Sequence, residues 1–580
     1  MALVLGLSAG PHDSGACLFR GGALLRAANE ERFTRRKQDG RFPKAAIAYC
    51  LESEGLHPDD LAAVAVGWHF GAEAAEARIH KGLAELGVVP GRVRMFDHHS
   101  CHAAAALYLS PFQLPGTASG GPGAAGQSAV CLTLDGRGDF SAGKLAELRV
   151  PDSREQAAAA AWTEFRVLDS MTMFDSVGFL WAFVTAVLGF KPFRHEGKLT
   201  GLAGHGDASQ TLQIFEEALR LEQGPGSSWR LRTPWHGEAL DNFQLYLSGL
   251  EDGNPSLSNL ESFKLCRELR RHKPADVAAG LQLATERLVL GYLERNGSAR
   301  PNVCLAGGVF ANVRLNMRIR ADLDKVQRVF VYPNMGDGGL CVGAAALASR
   351  ELGLLISAPK GNCFLGPEFR PDELREALEL HLHDAELVEE WDEGAFARHV
   401  AAHVHAGNVV GFFYGAMEFG PRALGHRSLL ARATDPGLCE ALNTRLRRTE
   451  FMPFAPVTLR AHAAEAYLGW DAEDLEAGRH MTTCYEVSSA MRALCPAVVH
   501  VDGTARPQVV DERDGLYFQV VEAYAAASGV HSLVNTSFNV HEQPIICTPR
   551  DAVAALGSGA CDMLAMYPYF LAPRLPAHAQ

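Results

Sequence analysis

Residues 3–29, LVLGLSAGPHDSGACLFRGGALLRAAN, decide the fold. Leu3–Ser8, Gly15–Phe19 and Ala23–Asn29 read as three strands, and Gly21-Gly22 supplies the tight connection between the last two. Pro43 then suits the first turn of a helix, and buried strands follow at Ala62–Gly67 and Val93–Phe96. The same order begins again at Ala129–Leu134, an apolar run ending in Asp135-Gly136-Arg137-Gly138-Asp139. A second meander is expected around Lys144–Val150 and Trp162–Leu168, then helices at Phe174–Leu188 and Asp276–Arg295. Two strand–glycine–helix units close the region: Asn302–Ala306 into Gly307-Gly308, and Val329–Tyr332 into Gly336-Asp337-Gly338-Gly339. Two restarts imply two similar halves flanking a nucleotide cleft.

Gly116–Gln127 reads as a surface loop and Leu352–Arg370 as a linker, because Gly, Pro and Ser break the periodicity there. Beyond it, strands at Val409–Tyr414, Phe454–Leu459 and Val530–Asn535 alternate with helices up to a loose tail from Pro573. The division expected is 1–355 and 370–573. At 580 residues, 47% hydrophobic and 21% charged, the chain has material for several cores. A formal net charge of -13 argues against a nucleic-acid partner but leaves room for phosphate ligands. Thirteen cysteines without a C-x-x-C pair read as reduced thiols, and no apolar run is long enough to span a membrane. A cytoplasmic protein is expected.

His98 and His102, just before the Ala-rich helical stretch Ala103–Leu109, are four apart and would share one face on a helix, a spacing suited to one metal ion or to a solvated helix entrance. Asp135 and Asp337 sit at strand ends, where aspartate also serves as a turn former. Together the four make a mixed nitrogen and oxygen ligand set of the iron, manganese or zinc type. Gly307, Gly308, Gly336 and Gly338 read either as tight corners or as a nucleotide cradle with Asn312 near base or sugar. The Asn302–Asn312 turn carries neither a Walker A nor a G-x-G-x-x-G motif, so an ATP site here is neither P-loop nor Rossmann. In the C-terminal region, Glu418–Ser428 brings Arg422 and Arg427 beside glycines, Arg445–Arg448 is basic, and Thr504–Gln508 carries Arg506. These are anion-site candidates, with a solvated basic face the alternative for the Arg445–Arg448 run. Asn535-Thr536-Ser537-Phe538-Asn539 adds amide and hydroxyl donors.

Taken in order, His12-Asp13-Ser14, Glu30-Glu31-Arg32-Phe33, His98–His102, Glu196-Gly197-Lys198, Gly336–Gly339, Glu418–Ser428 and Asn535–Asn539 resemble the NodU/CmcH family of O-carbamoyltransferases. The resemblance implies an α/β protein: a two-lobed, actin/hexokinase-like N-terminal domain of duplicated ribonuclease-H-like halves, then a YrdC-like α/β domain. It implies carbamoyl adenylate made from carbamoyl phosphate and ATP (with Mg2+), and carbamoyl transfer to a hydroxyl of a sugar or natural-product acceptor. By the same resemblance His98, His102, Asp337 and Asp135 hold a divalent metal, Fe2+ first, with Mn2+ or Zn2+ as alternatives. His12 is the implied general base, and Arg422, Arg506 and Ser537 the implied phosphate contacts. Arg447 stands where many members have lysine, and Met452 where they have arginine, in a string one residue shorter. The aromatic residues Trp229, Trp235 and Tyr246 are candidates for an acceptor wall. An actin-like small-molecule kinase and a fused tRNA threonylcarbamoyl transferase are the competing readings.

Overall fold

The computed structural model describes residues 1–67, 72–88, 90–112, 128–149, 165–224, 229–235, 260–261, 263–296, 300–357, 363–379, 385–448, 452–471 and 475–573. The Gly116–Gln127 loop, Tyr246 and the tail after Pro573 lie outside them. So do parts of the Leu352–Arg370 linker.

Strands β1 (Leu3–Ser8), β2 (Gly15–Arg20), β3 (Ala23–Asn29), β4 (Ala63–Val66) and β5 (Val93–Met95) form a sheet ordered β3-β2-β1-β4-β5. β1 pairs antiparallel with β2 and parallel with β4. The order then repeats. β6 (Ala129–Gly138), β7 (Ser141–Leu148), β8 (Phe165–Thr172), β11 (Asn302–Ala306) and β12 (Arg328–Val331) form a sheet ordered β12-β11-β6-β7-β8, with β11 parallel to both β6 and β12. Short strands β9 (Arg220–Gln223) and β10 (Trp229–Arg232) pair with each other between β8 and β11 in the chain. Both five-stranded sheets therefore consist of an antiparallel meander extended by two further strands on the far side of its first strand. That is the ribonuclease-H-like order found twice, the arrangement of the actin/hexokinase class.

Two departures from the sequence reading matter for the site. β6 runs on past Leu134 to Gly138, with its register against β7 shifting between those residues. Asp135 thus lies on an irregular strand end rather than in a turn. The helix after β5 begins at His98, because Asp97 caps it by accepting a hydrogen bond from the Ser100 amide at 2.7 Å. Both histidines consequently sit in its first turns.

A larger mixed sheet uses β13 (Ala385–Glu390), β14 (Val410–Phe413), β15 (Arg427–Arg432), β16 (Ala455–Leu459), β19 (Gln508–Val510), β20 (Ser532–Ser537), β21 (Met563–Met566) and β22 (Tyr569–Pro573). Its order is β13-β22-β21-β14-β15-β20-β16-β19. β17 (Tyr485–Glu486) and β18 (Thr504–Ala505) form a separate two-stranded ribbon. Helices Glu393–His405 and Gly515–Ser528 pack together beside this sheet.

By compactness the chain divides into one unit of Met1–Val66, Arg78–Arg94 and Ile356–Gln580, and another of Gly67–Ala77 and Met95–Leu355. The first five-stranded sheet thus belongs with the C-terminal sheet. In the second unit Phe183, Trp235 and Phe263 meet edge to face at 5.2–5.9 Å. Trp235 is 1% exposed, which makes it core rather than an acceptor wall. Trp229 is half-buried beneath the Arg295 guanidinium, 4.6 Å from its ring.

Candidate functional site

The second unit brings His98, His102, Asp135 and Asp337 together: one ligand atom from each lies within 4.8 Å of all the others. The two Nε2 atoms are 3.1 Å apart. His102 Nε2 is 3.3 Å from both Asp135 Oδ2 and Asp337 Oδ1, and His98 Nε2 is 3.5 Å from Asp337 Oδ1. Two imidazoles and two carboxylates converging in this way make a donor set that could hold a divalent metal ion. Burial opposes protonation of His102, but its hydrogen bonds to Asp135 and Asp337 outweigh this and raise its pKa to about 9. Burial would likewise raise the pKa of Asp135, yet the His102 contact, His98 and the Gly308 amide pull it well below the usual carboxylate range. The cluster is an electron-rich cage that a cation would satisfy in place of that proton.

Backbone packing sets these positions. The Asp139 carboxylate accepts the His98 amide at 2.8 Å, and Lys144 pairs with Asp97 at 2.6 Å, fixing the helix entrance. A Cβ on Gly138 would lie 2.0 Å from the His98 ring. Asp135 Oδ2 accepts the Gly308 amide at 3.0 Å. Gly307 has φ +96, and a Cβ there would lie 2.2 Å from the Leu134 carbonyl oxygen. That corner therefore accepts only glycine. Asp337 precedes helix Leu340–Glu351, whose Gly343 lets it lie directly against helix His98–Leu109. A Cβ there would stand 1.8 Å from the Cys101 oxygen.

His99, between the two site histidines, is fully buried, contacting Thr133 Oγ1 at 3.0 Å and the Ser141 carbonyl at 3.1 Å. Asn312 caps helix Val313–Asp322 and exchanges hydrogen bonds with Gln282, so its amide serves the scaffold. No atom of the described residues lies within 4 Å of a Cβ built on Gly336, while Gly338 is buried. Phe193, with φ +59 and 38% exposed, stands edge to face with Phe179 beside Gly136. No sequence pattern singled it out.

In the first unit, His12 Nδ1 is 3.0 Å from Asp13 Oδ2, and its side chain is 42% exposed. Around the Glu418–Ser428 block, one buried carboxylate organises the backbone: Glu418 Oε1 accepts the amides of Leu424, His426 and Arg427 at 2.7–3.0 Å. Gln508 donates to the Leu424 carbonyl at 2.7 Å, and Asn535 donates to the Ala423 carbonyl at 3.2 Å and to Gln508 at 2.7 Å. Arg422 and Arg506 are both half-buried.

Arg427 is a different case. It is fully buried, stacks 3.7 Å over Phe413 and donates to the carbonyls of Tyr414, Gly415, His426, Pro367 and Cys547. Desolvation lowers its pKa to about 10. It is scaffold, whereas the sequence alone grouped it with Arg422. Arg447 is exposed with φ +55, and its neighbour Arg448 clamps Thr536, Ser537 and Asn539 at 2.8–3.0 Å. The scaffolding roles of Glu418, Gln508 and Arg448 escaped the sequence reading. Glu418 and Arg448 stood inside motifs noted for their neighbours, and Gln508 ended one.

The duplicated sheet order defines a protein of the actin/hexokinase-like class, with a candidate metal centre at its second sheet. The chain belongs to the carbamoyltransferase family. The Carbamoyltransferase N-terminus model matches residues 3–75 and 79–346, and the Carbamoyltransferase C-terminus model matches 401–572. It is 30% identical to nodulation protein NolNO of Sinorhizobium fredii, over 97% of this chain and 79% of that protein. It is 29% identical to protein sll1178 of Synechocystis sp., over 99% of this chain and 97% of that one. Nodulation protein U of Bradyrhizobium diazoefficiens is 25% identical over 91% of both chains. The protein is thus a transferase enzyme. Among the described residues no helix is long and apolar enough to cross a membrane.

Proposed function

We propose that this enzyme makes carbamoyl adenylate from carbamoyl phosphate and ATP and transfers the carbamoyl group to a hydroxyl of a sugar or natural-product acceptor. The observation that carries this reading is that the chain holds two chemically distinct sites. One is a His2Asp2 cage beside glycine turns; the other is an arginine-bearing loop built by Glu418, Gln508 and Asn535. We assign the arginine-bearing site to a YrdC-like region, 370–573, and the cage to the transfer region, 1–355.

In the first step water cleaves carbamoyl phosphate to carbamate and phosphate. A carbamate oxygen then attacks the α-phosphorus of ATP, and pyrophosphate leaves. Arg422, Arg506 and Ser537 hold the anions, with Arg448 fixing Ser537, and Arg447 is close enough in sequence to supply the charge that Met452 lacks. In the second step the acceptor oxygen attacks the carbamoyl carbon, the bond to the AMP oxygen breaks, and AMP departs. His12, oriented by Asp13, takes the hydroxyl proton. Gly307, Gly308, Gly336 and Gly338 leave room for backbone approach to the nucleotide phosphates. His98, His102, Asp135 and Asp337 would hold a divalent metal, Fe2+ first, which when bound supplies Lewis acidity near the leaving phosphate.

The thirteen cysteines are thiols rather than disulfides, which fits a reducing, cytoplasmic setting where ATP and carbamoyl phosphate are available. Incubation with ATP, carbon-labelled carbamoyl phosphate and a panel of polyhydroxylated acceptors tests the reading. Label in an acceptor with stoichiometric AMP supports it. Phosphorylated acceptor with ADP would establish a kinase instead.

A further inference from the structure

The N-terminal segment reaches into the C-terminal anion loop. Residues Glu31–Thr34 form a short helical turn, closed by Arg35 in a left-handed conformation (φ +58). Glu30, buried, ties this turn to its own side of the unit, accepting the Ala45 and Ala46 amides at 3.2 and 2.8 Å. The other face meets the distant end of the sequence. Arg32, 5% exposed, donates through Nη2 to the Gly420 carbonyl at 2.8 Å. Phe33 packs against Met417, Ala423, Ile545 and Cys547. Arg35 donates to the Ile545 and Pro544 carbonyls at 2.7 and 3.0 Å.

Gly420 carries φ +148 and opens the turn that presents Pro421-Arg422. Its far end is held from within the C-terminal region by Glu418, Asn535 and Gln508, as described above. Its near end is held by Arg32. Arg32 is an inefficient way to gain stability alone. Its charge is buried, its Nε has no hydrogen-bond partner among the described residues, and its ion pair with Glu31 is long, at 3.4 Å. An apolar side chain of similar volume would pack there at less desolvation cost. What the guanidinium adds is a directional, charge-assisted bond that fixes one peptide plane two residues before Arg422.

We propose that Arg32 and Arg35 are positioning residues for the carbamoyl-phosphate site, so that the adenylate-forming half is completed by the opposite end of the chain. This rests on the reading of the Glu418–Ser428 loop as that site. The pair touches no substrate and acts through the loop backbone.

The test compares full-length wild type, Arg32→Gln, Arg32→Lys, Arg422→Ala and Arg32→Gln/Arg422→Ala. Arg32→Gln should raise KM for carbamoyl phosphate in pyrophosphate release at least tenfold, with a smaller change in kcat. Hydrogen exchange should accelerate at the Leu424, His426 and Arg427 amides but not in helix His98–Leu109. Co2+ binding at the histidine cluster, followed by its visible absorption, should be unchanged. Arg32→Lys should recover part of the loss, and the double variant should be no worse than Arg422→Ala. A folded Arg32→Gln with wild-type KM and wild-type loop exchange overturns the proposal, as does a double variant whose losses multiply. Arg35→Gln, at a 29% exposed side chain, replaces Arg32→Gln with the same expectations if the latter does not fold. If wild type releases no carbamoyl-phosphate-dependent pyrophosphate, the functional reading fails, while the exchange measurement still decides whether Arg32 positions the loop.

Discussion

Adding one methyl group at Gly343 should damage the metal cluster from a distance. The new Cβ would lie 1.8 Å from the Cys101 oxygen, whereas ordinary contact begins near 3.4 Å. Helices Leu340–Glu351 and His98–Leu109 must therefore part by about 1.6 Å or distort. Asp337 lies just before one helix, and both histidines sit on the other. The 3.3 and 3.5 Å separations of Asp337 Oδ1 from His102 and His98 would then open toward 5 Å, and a metal tolerates only about 0.2 Å in ligand distance. Gly343→Ala should cost about 1–3 kcal/mol of stability and lower divalent-metal affinity at least tenfold. Calorimetric titration with Mn2+ and thermal unfolding measure both, with Gly91→Ala as the control because no atom of the described residues lies within 4 Å of its Cβ position. Wild-type metal affinity in Gly343→Ala would refute the claim that this helix contact sets the ligand geometry.

The remaining predictions concern individual side chains. Asp337→Ala should reduce metal affinity by more than about a hundredfold while leaving the circular dichroism spectrum unchanged. Arg427→Ala leaves several buried carbonyls without their donor and should cost about 3 kcal/mol or more, read from the urea midpoint. His426, buried against Phe364 with ring centroids 3.8 Å apart, has its pKa lowered by desolvation to about 4. The unfolded chain titrates near 6.5, so the unfolded state takes up the proton first. His426 thus favours folding fully above pH 6.5, and that contribution, up to about 3 kcal/mol, is lost as pH falls toward 4. His426→Gln should flatten urea midpoints over this window, and an unchanged slope would argue against it.

The strand order was largely legible, because buried strands bounded by glycine leave a strong pattern and both meanders carry it. Leu3–Ser8, Ala23–Asn29 and Asn302–Ala306 are strands with the ends expected from sequence. The irregular end of β6 was not, since a register shift depends on the partner strand rather than on local composition. At the candidate sites, residue types marked out segments without separating buried scaffold from accessible side chains. Arg422 and Arg427 look alike in sequence, yet Arg427 is enclosed by five carbonyls and Arg422 is half-buried beside the loop. Asn312 looked like a nucleotide contact and is a helix cap. The Arg32–Gly420 bond spans 388 residues, a separation that no local pattern encodes.

Release of pyrophosphate from ATP, with and without carbamoyl phosphate and with no acceptor present, tests the central claim most directly when wild type is compared with Arg506→Ala. The account predicts pyrophosphate that depends on carbamoyl phosphate in wild type and disappears in the variant. ADP in place of pyrophosphate, or pyrophosphate release indifferent to carbamoyl phosphate, would contradict it.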